Sequence, residues 1–111
     1  MELEQVTIFI VDFDEFIEFL EQGFRILPEH KSQNFALFEM GQCKFGVHRS
    51  RPNRTTKCAN VHFLVSSTTI LSVENVRPLL SSSYKVEHTK LDRLQIEDKL
   101  GNVFEFIRSE S

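Results

Sequence analysis

A chain of 111 residues with 41% hydrophobic and 11% aromatic side chains has enough apolar surface for a compact core, which excludes intrinsic disorder. Its formal charge of −3 argues against a nucleic-acid binder, because phosphate recognition needs a clustered basic face. Cys43 and Cys58 lack CxxC spacing, which excludes a disulfide scaffold and a cysteine-rich zinc site, and no apolar run reaches the length of a membrane span.

The opening Met1-Glu2-Leu3-Glu4 has no basic segment ahead of an apolar one, so the expected location is the cytoplasm, with both thiols reduced. Val6 to Val11 is a β-branched and aromatic run and reads as a strand. Asp12 and Glu15 have the spacing of a helix N-cap with a reciprocal acid. Phe13, Phe16, Ile17 and Leu20 then fall on one helical stripe, with Asp14, Glu15, Glu18 and Glu21 largely off it and Gly23 as the expected C-cap. Three short strands follow, Phe24 to Leu27, Phe35 to Met40 and Cys43 to His48, the last two joined through Gly41-Gln42.

Residues 49–57 are polar, contain Pro52, show no apolar periodicity and read as a connector. The order of elements then restarts: a strand over Asn60 to Val65, a helix over Val73 to Leu80 with Ser72 as cap, and strands over Tyr84 to Thr89, Arg93 to Glu97 and Val103 to Ile107. Each half reads βαβββ, about residues 1–50 and 58–111, and self-similarity at this spacing marks one domain built of two modules. The predicted fold class is α+β, with curled mixed sheets around a cleft.

A period of two sorts the strand faces. Val6, Ile8 and Ile10, then Cys43, Phe45 and Val47, turn to the first helix; Val61, Phe63 and Val65, then Phe104 and Phe106, turn to the second helical segment. The opposite face holds Gln5, Thr7, Phe9, His48, Asn60, His62 and Glu105, with Arg93, Gln95 and Glu97 as further candidates. Glu105 stands out as one carboxylate in an otherwise apolar terminal strand. These side chains either line a concave small-ligand site or face solvent on open strands. His30 and His88 fall in surface segments.

The βαβββ repeat, the start Gln5-Val6-Thr7-Ile8-Phe9-Ile10-Val11-Asp12 and the close Glu97-Asp98-Lys99-Leu100-Gly101-Asn102-Val103-Phe104-Glu105-Phe106 resemble the vicinal oxygen chelate superfamily, which includes glyoxalase I, bleomycin resistance proteins and extradiol dioxygenases. The sharpest element is Asp98, Gly101, Asn102 and Glu105, with Lys99 and Leu100 in place of the family's usual middle pair. The resemblance implies a divalent ion between modules in metal-dependent members, at places that look like Gln5, Gly46, Asn60 and Glu105. Gly46 offers no ligand and Asn60 stands where a His is expected, which undermines that site and the enzyme chemistry dependent on it. His48 and His62 lie two residues further along their strands, roughly 6.6 Å from the failed positions, against a metal–ligand bond of about 2 Å. A displaced set of Gln5, His48, His62 and Glu105 is the alternative.

The resemblance thus implies a glyoxalase-like or bleomycin-resistance-like module that sequesters a small amphipathic ligand without metal or turnover. Phe9 would stack on the ligand, Gln5, Gln95 and His62 would orient it, Thr7, His48 and Asn60 would line the site, and Glu105 would supply negative charge. Glu97 and Glu105 favour a cationic guest; Arg93 and the connector residues Arg49, Arg51, Arg54 and Lys57 favour an anion. The alternative is a metal-dependent lyase, isomerase or dioxygenase, with His62 or Glu105 as general base. A third reading is an interaction protein whose cleft is filled by Phe rings. One chain holds both modules and could close its own cleft, but paired chains of the family often exchange modules, so the resemblance implies a homodimer, with neither nucleic acid nor membrane as a partner.

Overall fold

The computed structural model describes residues 5–41, 43–51 and 58–109; the Met1 to Glu4 opening, Gln42 of the predicted hairpin and residues 52–57 of the predicted connector lie outside the described residues. The chain divides into two compact units, Met1–Thr55 and Thr56–Ser111.

In the first unit β1 (Gln5–Ile10) runs parallel to β4 (Cys43–Arg49), and β3 (Phe35–Met40) and the short β2 (His30–Lys31) continue the sheet antiparallel, in the order β1-β4-β3-β2. The alternation predicted from sequence is observed: Ile8, Ile10, Phe45 and Val47 are buried, and Gln5, Thr7 and Lys44 are exposed. Helix α1 (Phe13–Phe24) buries Phe13, Phe16, Ile17, Phe19 and Leu20, and its acids stay at the surface or partly covered. Gly23 is not the cap. The helix continues one residue because Phe24 packs its ring edge-on against Phe19, centroids 5.6 Å apart, and Arg25 takes the left-handed turn at φ 56°. The Arg25 and Ile26 N–H groups then close the helix on the carbonyls of Glu21 and Leu20. Asp12 holds the N-cap position, but no side-chain capping bond forms there. The strand predicted over Phe24 to Leu27 is absent: Phe24 belongs to the helix, Pro28 has no N–H for a ladder, and pairing starts at His30.

Arg49 ties this unit together. Its Nε donates to Asn34 Oδ1 at 3.1 Å, its Nη2 donates to Asp14 Oδ2 at 2.9 Å and to the Gln33 carbonyl at 2.8 Å, and its guanidinium lies 4.9 Å from the centre of the Phe13 ring. A connector residue in the sequence reading, Arg49 is the last residue of β4.

In the second unit β5 (Asn60–Val65) runs parallel to β8 (Val103–Arg108), followed by antiparallel β7 (Arg93–Glu97) and β6 (Lys85–Lys90), in the order β5-β8-β7-β6. The predicted single helix over Val73 to Leu80 is split into α2 (Val73–Val76) and a 3-10 turn at Arg77–Leu79. Pro78 is the reason, since it lacks an N–H and crowds the preceding turn of an α-helix. Tyr84 is buried just ahead of β6 rather than within it. Eight of the eleven Phe are buried, which makes most of them core; Phe9 and Phe35 lie half-buried on the face away from α1. Among the described residues no helix is long and apolar enough to cross a membrane.

Candidate functional site

The Asp98 to Asn102 turn, the sharpest sequence signal, is a structural lock. Asp98 Oδ1 accepts from the N–H of Leu100 at 3.0 Å and of Asn102 at 2.8 Å, and Oδ2 accepts from Asn102 Nδ2 at 2.8 Å. Asn102 Oδ1 in turn accepts from the Ala59 N–H at 2.8 Å, which fastens the β7–β8 hairpin to the approach to β5. Gly101, at φ 91°, supplies the left-handed residue, and Cys58 Sγ would stand 3.0 Å from a Cβ there. The lock sets the register in which β8 leaves the turn, and so the position of Glu105 three residues later.

Glu105 faces away from the buried rings of Phe104 and Phe106 yet is itself only 9% exposed. The register explains its neighbours: His62 stands opposite it on β5 and Gln95 on β7, so all three share one face. His62 Nε2 lies 3.8 Å from Oε2, and Arg93 Nη1 lies 3.5 Å from Oε1. Thr89 Oγ1 donates to Oε1 at 3.1 Å. Thr89 reaches it through a bulge, since the β6–β7 register slips between His88 and Lys90. The flanking positions on this face are Asn60, Leu64, Val103 and Ile107, so a charged centre is bordered by three apolar side chains and one amide.

The corresponding face of the first unit has a different character. His48 stacks on Phe9, centroids 5.2 Å apart, and lies against Phe35 at 4.5 Å. Gln5 Nε2 donates to Thr7 Oγ1 at 2.9 Å, and a Cβ on Gly46 would meet Gln5 Nε2 at 2.8 Å and Phe35 Cε2 at 3.2 Å. The missing side chain is what lets the amide and the ring approach the strand. Gly46→Ala is expected to cost about 1 kcal/mol, because the displaced Gln5 amide is at the free end of a flexible chain and moves readily. Urea unfolding and loss of the Phe35–His48 ring-current shift would measure it.

Of the residues that the sequence reading assigned to one concave surface, the register brings His62, Gln95 and Glu105 together on the second sheet, with Arg93 beside them, and Gln5, Thr7, Phe9 and His48 share a face of the first. The sequence reading missed Thr89, whose position depends on a bulge that no residue pattern announces. Asn60 is exposed at the start of β5, next to Val103 rather than Glu105 in the register.

The donors fit a divalent ion poorly in each unit. In the first, Gly46 has no side chain, Gln5 is engaged with Thr7, and His48 is held between two Phe rings. In the second, the Arg93 guanidinium puts fixed positive charge against the carboxylate that would have to coordinate the ion. Among the described residues no three His, Cys, Asp or Glu side chains are grouped as metal ligands.

No protein-family model and no curated protein matches the sequence. Solved structures do match over nearly the whole chain. A glyoxalase/bleomycin resistance protein/dioxygenase family enzyme from Burkholderia phytofirmans PsJN is 16% identical, with a TM-score of 0.63 over 97% of this chain and 98% of that one. A glyoxalase/bleomycin resistance protein from Albidiferax ferrireducens T118 is 9% identical, with a TM-score of 0.63 over 97% and 98%. The fosfomycin resistance protein FosX from Listeria monocytogenes, complexed with Mn(II) and sulfate, is 13% identical, with a TM-score of 0.67 over 98% and 90%. These likenesses show the fold, the α+β architecture of two βαβββ modules common to the glyoxalase/bleomycin resistance proteins.

Proposed function

We propose that this protein binds a small amphipathic molecule, without a metal ion and without turning it over, on the face of its second module centred on Glu105, and that it works in the cytoplasm as a homodimer. The observation that carries the reading is the covered carboxylate of Glu105, engaged by His62, Thr89 and Arg93 on the sheet face opposite the Phe core. Strands whose outer face only meets water do not need a buried acid with partners from three other strands, and such a group carries a desolvation cost. Leu64 and Ile107 beside it supply apolar area for the other part of a ligand. The fold is compatible with small-molecule binding, because the matched structures include a fosfomycin resistance protein complexed with Mn(II) and 1S,2S-dihydroxypropylphosphonic acid.

The test is an NMR screen of the labelled, metal-free protein against a few hundred amphipathic fragments. Hits are expected to shift His62, Thr89, Arg93, Gln95 and Glu105 together, and the compounds are expected to be recovered unchanged. Hits confined to other surfaces, or none, would sink the proposal. A parallel titration with Mn(II) is expected to leave Glu105 and His62 unbroadened; selective broadening there would instead favour the metal-dependent lyase, isomerase or dioxygenase reading.

A further inference from the structure

Three arginines of this chain make an instructive comparison. Arg49 donates to three acceptors, and Arg77 donates to the carbonyls of Tyr84 at 2.6 Å, Leu80 at 3.2 Å and Ser81, so both serve the fold. Arg93 does not follow this pattern. Its Nε is buried without a hydrogen-bond partner, and its Nη1 makes a 3.5 Å ion pair with Glu105 that is too long for a strong charge-assisted bond. An arginine fork kept on a ligand-facing strand with its covered Nε–H lacking an acceptor is a poor structural element, because a donor taken out of water without a partner is destabilising. It is a good recognition element for an acceptor that arrives from outside.

The charges around it point the same way. Lys90 stands opposite Arg93 across the bulge, and among the described residues Glu105 is the one carboxylate within ion-pair distance of the guanidinium. Next to the guanidinium itself two fixed positive charges, Arg93 and Lys90, meet the Glu105 carboxylate, while Glu87 and Glu97 stand further along the face, opposite Gln95 and Val103, and Glu97 is paired with Lys85. Glu105, itself fixed by the Thr89 hydroxyl, then acts on the fork rather than on the ligand, pairing with Nη1 while leaving the Nη2 and Nε edge to turn onto a planar or tetrahedral oxyanion. Ile107 stands opposite Arg93 in the register, and Leu64 stands opposite Ile107, so an apolar tail has a place next to the charged group.

We infer that the ligand's polar end is an oxyanion, a carboxylate or phosphate carried on an apolar body, and that Arg93 recognises it through its fork. The inference rests on the proposed small-molecule site and names its ligand class. It decides between the two guests that the sequence left open, against the cation.

Two probes of similar shape and opposite charge, phenyl phosphate and benzylamine, test it in NMR titrations of the full chain. Phenyl phosphate is expected to shift Arg93 Nε–H and the amides of Thr89 and Gln95 saturably, and Arg93→Gln to weaken it at least tenfold with an otherwise unchanged spectrum. Arg93→Lys, which keeps the charge and loses the fork, is expected to weaken it at least threefold; it replaces the Gln variant if that one fails to fold. Benzylamine binding as well as phenyl phosphate, or affinity unmoved by the arginine variants, overturns the oxyanion assignment while leaving a small-molecule site in place. Absence of both probes from this face overturns the assignment too, and an empty fragment screen beside it removes the underlying site.

Discussion

Asp98→Ala is expected to destabilise the second unit by about 3 kcal/mol, the cost of removing a carboxylate that holds three donors at once. Two of those donors belong to Asn102, which is only 4% exposed, so water cannot replace the acceptor. Leu100 N–H is nearer the surface and contributes less. Asp98→Asn is expected to fall between the variant and wild type, for a reason that can be counted. An amide oxygen at Oδ1 can still accept from Leu100 and Asn102, but its NH2 would meet the Asn102 NH2, and Asn102 cannot flip because its oxygen already accepts from Ala59. The measurement is urea unfolding followed by Tyr84 fluorescence. Tyr84 is the single tyrosine in a chain without tryptophan and lies in the second unit, so the signal is local. A loss below about 1 kcal/mol for the Ala variant would mean that the turn keeps its shape without the lock.

That network also shows where sequence was informative and where it was not. The Asp98, Gly101, Asn102 spacing was visible because a tight turn needs a left-handed residue and side chains that bond their own backbone, constraints that act over five positions. The strand faces were visible for the same local reason, and the register then brought His62, Gln95 and Glu105 together. What failed was governed by packing between distant residues. Phe24 went into the helix because Phe19 offered a ring to pack on, and Gly23 was overruled. Thr89 joined Glu105 through a slip in register at His88, which alternation alone would have hidden. Arg49 looked like part of a basic connector and is the clasp of the first unit, since its partners Asp14, Gln33 and Asn34 are remote in sequence.

The largest loss is expected from Phe106→Ala, about 4 kcal/mol, because the ring is fully buried and has partners on both sides. It stacks on Phe63 of β5, centroids 4.9 Å apart and planes within 11°, and stands opposite Leu94 of β7 in the register. Removal therefore opens a cavity between strands that cannot collapse without pulling the ladder apart, so the transfer and cavity costs add. Leu64→Ala is the matched control: it sits on the neighbouring strand, also loses an apolar side chain, and is 74% exposed on the other face, so its cost is expected to stay within about 0.5 kcal/mol. The two faces of this sheet differ in what each contributes. The Phe face supplies stability, and the Glu105 face, with its bordering Leu64 and half-engaged Arg93, is where substitutions are expected to change binding before folding. A Leu64→Ala loss approaching that of Phe106→Ala would mean that Leu64 is covered in solution, and the face around Glu105 would then belong to an interface rather than to a free ligand.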